Sequence, residues 1–328
     1  MTPEKPISVD EVEAARGRVS STALTTPLVR TPGLANLTGS DVMLKLETVQ
    51  PTGSFKIRGA ASKVLSLTEE QRRRGVVTAS TGNHGRAVAH VAARHRVAVA
   101  VCVSENVPSG KVEALEKLGC EVLIGGDSQS AAFGVAEELV QSRGMTLVHP
   151  FDDREVIAGQ GTIGLEICEQ TARPLDVIVP LSGGGLVAGI AVAVKARSPS
   201  SRVIAVSMER AAAMAESLKA GHPVEIAEEP TLADSLQGGI GLDNRHTFEM
   251  VQRLVDEVVL VGEDDIWDAM RWAFHHQGLI LEGAAAVGIA ALLTGSVQPD
   301  DRAVVVCSGQ NLESEQLTAL AASSTVDR

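Results

Sequence analysis

Four short segments of this chain combine side chains and glycines in patterns that can do chemistry. The first runs from Lys45 to Ala60 and reads KLETVQPTGSFKIRGA. Pro51-Thr52-Gly53 is turn chemistry, and the spacing predicts a helix starting near Ser54 with Lys56 in its first turn. A cationic ammonium is disfavoured at the positive end of a helix, so this placement lowers the cost of keeping the Lys56 amine neutral, as an imine requires. An ordinary surface lysine would also fit this segment taken alone. The second segment is Ser182-Gly183-Gly184-Gly185-Leu186-Val187-Ala188-Gly189. Successive glycines let backbone N–H groups converge on an anion, and a helix behind them adds its dipole, which makes a phosphate cradle. It lacks the Gly-Lys-Ser/Thr ending of a nucleotide P-loop. A dinucleotide site is the rival reading. Gly183, Gly185 and Gly189 give G-x-G-x-x-x-G, one residue longer than the usual fingerprint, and Glu209 follows the next strand, where a ribose-binding acid could sit.

The third segment, Ser308-Gly309-Gln310-Asn311, places a neutral hydroxyl where it can hydrogen-bond a ring nitrogen, although many strands end in Ser-Gly turns. The fourth is Ser80-Thr81-Gly82-Asn83-His84-Gly85. Hydroxyls, an amide and backbone N–H groups at a helix start suit a carboxylate. His84 alone reads as a satisfied helix-start histidine.

Alternating strand and helix signals must position these segments. Buried parallel strands are predicted at Gly75 to Thr78, Val97 to Val103, Asp176 to Pro180, Val203 to Ser207 and Ala303 to Cys307. Helices are predicted at Gly85 to Arg94, Lys111 to Leu118 and Ala131 to Gln141, and Gln71 to Arg74 reads as a solvated helix end before Gly75. This pattern implies an α/β architecture with helices on both sheet faces. Three of the four segments directly follow a predicted strand. Ligands bind beyond the carboxyl ends of strands in open α/β sheets, so one composite site is expected. Residues Ala321 to Arg328 read as a frayed tail.

Composition narrows the classes. The chain has 328 residues, enough for two domains or one large one, with 44% hydrophobic and 21% charged residues. Aromatic residues are only 2% and tyrosine is absent, so Ala, Val, Leu and Ile must build the core. The net charge of −12 would repel nucleic acid. The four cysteines include no C-x-x-C pair and read as buried free thiols in a reducing compartment. No apolar stretch reaches the roughly 20 residues that span a bilayer, and the N-terminus does not read as a signal peptide. A cytoplasmic protein without membrane contact is expected.

In order and spacing, the segments resemble the fold-type II pyridoxal-phosphate (PLP) enzymes, and within them the serine/threonine dehydratase and serine racemase branch. The resemblance runs from about Leu28 to Asn311 on PTGSFKIRGA, STGNHGRA, HPFDDREVIAGQGTIGLEI, PLSGGGLVAG, EGAAAVG and CSGQN. The sulfhydrylase branch usually carries Val-Lys-Asp-Arg where this chain has Phe-Lys-Ile-Arg. STGNHGRAVAH, VSMERAAAM and SLQGGIGLDNRHTF look closer still to the dehydratases of hydroxyectoine utilisation.

The resemblance implies a tryptophan synthase β-like fold of two parallel-sheet α/β domains. Residues 1–66 and 149–328 would form the large PLP-binding domain, and 67–148 the small domain with the substrate-carboxylate loop. Lys56 would hold PLP as a Schiff base and later move the Cα proton. Phe55 would pack near the ring, Asn83 would bond the ring hydroxyl, and Ser308 would face the pyridine nitrogen. Ser182, Gly183, Gly184, Gly185 and Leu186 would bind the phosphate. Ser80, Thr81, Gly82 and His84 would lie beside the substrate carboxylate, with Arg86 helping to select the substrate.

Three departures matter. Thr81 replaces the serine that many racemases use as the opposite-face acid/base. Arg86 replaces a common glutamine. Glu209 matches the first acid of a divalent-metal loop, but Ala215 occupies the second position, so no metal is expected. The regulatory domain of biosynthetic threonine dehydratases is not expected, and a homodimer is expected by analogy. The implied activity is elimination of water from a β-hydroxy α-amino acid. A general L-threonine/L-serine dehydratase and a serine or hydroxyaspartate-type racemase are rivals on the same fold. An NAD-dependent oxidoreductase and a non-catalytic relative are rivals of other classes. Intact hydroxyectoine offers no free α-amine, so a ring-opened substrate such as 4-N-acetyl-3-hydroxy-2,4-diaminobutyrate is expected if the closer resemblance holds.

Overall fold

Ten strands, β1 (Leu28–Arg30), β2 (Asp41–Leu46), β3 (Val76–Ala79), β4 (Val99–Val103), β5 (Glu121–Ile124), β6 (Thr146–Leu147), β7 (Asp176–Pro180), β8 (Arg202–Met208), β9 (Glu257–Val261) and β10 (Arg302–Cys307), make two sheets. They are seen in a computed structural model that describes residues 6–107 and 109–325. The larger sheet runs β1-β2-β10-β7-β8-β9 and the smaller runs β5-β4-β3-β6. Every pairing is parallel except β1 with β2. This is the expected α/β class. The predicted strands are all present, as are the predicted helices, which run Asn83–His95, Ser109–Lys117 and Gln129–Arg143.

Alternation along the strands explains the layers. On β7, Val177 and Val179 pack into one core with helices Arg154–Gln170 and Gly185–Arg197. Ile178 faces the opposite core, with helices Glu263–Gln277 and Gly283–Leu293. Buried on both faces, such a strand reads as a continuous apolar run. Glycines take up the closeness that a core poor in aromatics demands. A Cβ on Gly189 would lie 2.3 Å from the Ile157 carbonyl oxygen, and one on Gly161 would lie 2.8 Å from the Gly189 carbonyl oxygen. The backbones of helices Arg154–Gln170 and Gly185–Arg197 therefore touch directly. Trp272, on helix Glu263–Gln277, is buried against Gly33 and stacks on His276. Trp267 packs against the same core.

The tail expectation needs correction. Ala321 and Ala322 belong to helix Ser314–Ala322, which buries Leu320, and Arg271 donates to the Ser324 carbonyl at 2.8 Å. The remainder of that expectation, residues 326–328, lies outside the described residues. All four cysteines are buried and free. Among the described residues no helix is long and apolar enough to cross a membrane.

Helix Lys56–Ser66 lies where the layers meet. Ile57, Ala60, Ala61 and Val64 pack into the core that covers one face of the small sheet. Its opposite side is fixed by a buried charge cluster. Arg58 donates from Nε and Nη2 to Glu47 at 2.8 and 2.8 Å, and from Nη1 and Nη2 to Glu166 at 2.6 and 2.9 Å. Lys45 on β2 donates to the same Glu166 at 2.5 Å. Burial opposes the Arg58 charge, but the two carboxylates outweigh it and keep the guanidinium ionised. Removing one partner from such a cluster strands the others without compensation. Arg58→Leu should therefore lower the unfolding free energy by about 3–5 kcal/mol, read from the urea midpoint by circular dichroism.

Candidate active site

The four chemical segments converge because three of them leave the carboxyl ends of β3, β7 and β10, and the fourth is laced to the third. Ser54 forms a bridge with Gly309. The Phe55 N–H donates to the Ser308 carbonyl at 3.0 Å, and the Gln310 N–H to the Gly53 carbonyl at 3.0 Å. Lys56, the first residue of its helix with Phe55 as N-cap, is thus held beside buried Ser308 at the end of β10.

Residues 148–152 connect this pair to the other two segments. Lys56 Nζ donates to the Pro150 carbonyl at 2.8 Å and lies 5.2 Å from the Phe55 ring centre. His84 Nε2 is 2.9 Å from the Val148 carbonyl oxygen. Phe151 presses against the glycine loop: a Cβ on Gly183 would lie 2.4 Å from its ring, and one on Gly185 would lie 2.7 Å from its carbonyl oxygen. Gly184 has φ +88°, a conformation that favours glycine. The three glycines are therefore required by packing and turn geometry as well as by an anion. They open helix Gly185–Arg197, whose first N–H groups face the loop. Asp152 accepts the N–H groups of Arg245, His246 and Thr247 at 2.7, 2.9 and 2.9 Å and so anchors the neighbouring helix start. Sequence reasoning quoted HPFDD but assigned it no role; its function is to join segments far apart in the chain.

The loop after β3 turns tightly, since a Cβ on Gly85 would meet the Ser80 carbonyl oxygen at 1.9 Å. It buries Asn83 and His84, leaves Ser80 and Thr81 half-buried, and exposes Gly82 and Arg86. Thr81 and Arg86 lie in the wall of a cleft of about 280 Å³ with Leu115, Leu118 and Asn311. Ser182 is half-buried and Leu186 buried.

The electrostatics suit amine chemistry. Lys56 keeps some accessible surface, yet the protein around its amine pushes the pKa down to about 8, with Glu282 pulling the other way. Desolvation therefore does what the helix dipole was expected to do. Burial, reinforced by the charge of Lys56, pushes His84 down to about 3. It is neutral, with its hydrogen on Nε2 toward Val148, and its buried Nδ1 has no partner. Burial also pushes His149 down to about 4, despite Asp152 and Asp153 nearby. Glu282 was not singled out from the sequence. Burial raises its carboxyl to about 7, although Asn83 and the Asn311 N–H donate to it. Glu282 entered only as the first residue of the motif EGAAAVG, an acid placed directly before the apolar run Gly283 to Leu293.

Residues 19–309 match the family of pyridoxal-phosphate dependent enzymes. The chain is 49% identical to a putative threonine dehydratase of Sinorhizobium fredii over 94% of its own length and 93% of the relative. It is 38% identical to an L-threonine ammonia-lyase of Thermotoga maritima, over 94% and 76%. It superposes on maize serine racemase with a TM-score of 0.90 at 31% identity, covering 96% and 97% of the two chains. The chain therefore belongs to the pyridoxal-phosphate dependent enzymes. Within that family it is one of the threonine/serine dehydratase-like proteins of fold type II.

The residues fit the cofactor. A glycine loop opening a helix suits the phosphate, a largely desolvated amine suits the aldehyde, and His84 Nδ1, Ser54 Oγ and Thr52 Oγ1 are buried polar atoms without partners. Capture of added PLP by apoprotein requires neutral Lys56. The rate of forming the yellow, borohydride-reducible adduct should rise about tenfold per pH unit and level off above about pH 8. Lys56→Ala should give no reducible adduct at any pH.

Proposed function

We propose that this protein is a PLP-dependent dehydratase and ammonia-lyase acting on a β-hydroxy α-amino acid. The observation that carries this reading is the desolvated Lys56 amine, tied through Phe55 to an uncharged Ser308. Lys56 Nζ is the amine that would hold the cofactor, and once free it would take the Cα proton of the substrate. PLP, when bound, supplies the electron sink that makes that proton acidic. The hydroxyl of Ser308 can bond the ring nitrogen but does not charge it. A moderate sink favours loss of a β-leaving group over prolonged carbanion chemistry.

Ser182, Gly183, Gly184, Gly185 and Leu186 would hold the phosphate at the start of helix Gly185–Arg197. Phe55 would pack near the ring, and Asn83 would bond its hydroxyl. Ser80, Thr81 and Gly82, at the start of helix Asn83–His95, take the substrate carboxylate. His84 has a different task, because an unprotonated Nδ1 can only accept a hydrogen bond. We assign it to a substrate donor, the β-hydroxyl or the amine. The β-hydroxyl leaves as water, and the released enamine becomes an imine that water hydrolyses to a 2-oxo acid and ammonia. The two sheets support a division into residues 1–66 with 149–328 and residues 67–148. We further propose a cytoplasmic homodimer by analogy with fold-type II enzymes.

Two substrates are in view. STGNHGRAVAH, VSMERAAAM and SLQGGIGLDNRHTF favour a ring-opened hydroxyectoine derivative. The relatives named for threonine favour a general L-threonine dehydratase. Ammonia release from purified protein should be measured with L-threonine and with 4-N-acetyl-3-hydroxy-2,4-diaminobutyrate. Turnover of the acetylated compound is expected; turnover of threonine alone would assign the enzyme to general catabolism. With Thr81 in place of serine, chiral analysis of recovered substrate should show unchanged configuration. Inversion would make the protein a racemase.

A further inference from the structure

A continuous line of hydrogen bonds runs from the surface to the buried carboxylate of the site. Exposed Arg86 donates from Nη1 to Asn311 Oδ1 at 2.8 Å. Asn311 Nδ2 donates to Asn83 Oδ1 at 2.6 Å, and also to the Thr52 carbonyl at 2.9 Å. Asn83 Nδ2 donates to both oxygens of Glu282, at 2.8 and 3.0 Å. The backbone N–H of Asn311 reaches Glu282 as well, at 3.1 Å. Every bond points inward.

An amide can be turned over, exchanging its donor and acceptor ends. If Asn311 and Asn83 were both reversed, Asn83 Oδ1 would face Glu282, and only a protonated Glu282 could donate to it. The direction of the line and the ionisation of Glu282 are therefore coupled. A guanidinium has no acceptor. At the outer end of the line it permits only the inward direction, which the accept-only Thr52 carbonyl also favours at Asn311, and the aligned amides polarise one another.

We propose that Arg86 is a positioning residue that, through Asn311 and Asn83, keeps this line pointing inward and favours the ionised form of Glu282. Its catalytic consequence rests on the reading of Asn83 given above: the amide that faces the cofactor ring keeps one orientation. Other groups also act on Glu282. Lys56 and Glu282 attract one another, whereas Asp234 opposes the Glu282 charge and Ser235 donates to it.

The test is pH-difference infrared spectroscopy on holoenzyme. The carboxylic-acid band missing from Glu282→Gln identifies Glu282, and its titration midpoint is then compared in Arg86 variants. Arg86 is exposed, so folding should be unaffected. Arg86→Gln can accept as well as donate, and its midpoint should rise by roughly half a pH unit or more. Arg86→Lys can only donate and should stay near the wild-type value. An unmoved midpoint in Arg86→Gln would overturn the proposal, and a higher KM for L-threonine alongside it would point to direct substrate contact. Equal shifts in both variants would overturn it too. The band titrates whether or not any substrate releases ammonia, so failure of the dehydratase reading would be seen separately.

Discussion

The position of Lys56 depends on a charge cluster that water does not reach. Arg58, two residues further along the same helix, spends all its donor nitrogens on Glu47, Glu166, Thr162 and the Leu24 carbonyl. Two cations and two anions are buried together, so the net charge of the group is zero. Removing these ions from water costs several kcal/mol each, and the cost is offset only while all the partners are in register. The cluster thus makes one arrangement of β2, the turn at Glu47, helix Lys56–Ser66 and helix Arg154–Gln170 far better than any neighbouring one. An apolar cluster could slide; this one cannot without exposing a bare charge to a low-dielectric interior.

Around that fixed point the site is assembled by contacts of short reach. Phe151 touches two glycines, Pro150 holds the amine, and Val148 orients the imidazole. Five consecutive residues therefore set the relation among the amine, the anion cradle and the loop after β3. Because the helices behind the cradle touch backbone to backbone, a displacement in one is passed to the next with little slack.

Sequence legibility followed locality. Val177 to Val179 and Val304 to Val306 announced buried parallel strands because their own side chains meet both cores. β2 was not predicted. Lys45 interrupts its apolar run, and its burial is explained only by Glu166, 121 positions away. β5 was missed because its burial is partial, with exposed Glu121 and Ile124 at its ends. The glycine loop, Lys56 and Ser308 were visible as chemistry. Glu282 and Asn311 were visible only as members of EGAAAVG and of the Ser308 segment, without roles, since their significance arises from Asn83, 199 and 228 positions distant. The neutral tendency of Lys56 was anticipated for the lesser reason; packing around the amine, unreadable before folding, supplies the greater one.

The absence of tyrosine has an optical consequence. Near-ultraviolet emission from the polypeptide comes from Trp267 and Trp272, and both ride on helix Glu263–Gln277, against one face of the large sheet. The small sheet and its helices carry no such fluorophore. A chain that lost the small sheet alone would look native to a fluorimeter, so intrinsic emission reports on one half of the molecule and is blind to the other.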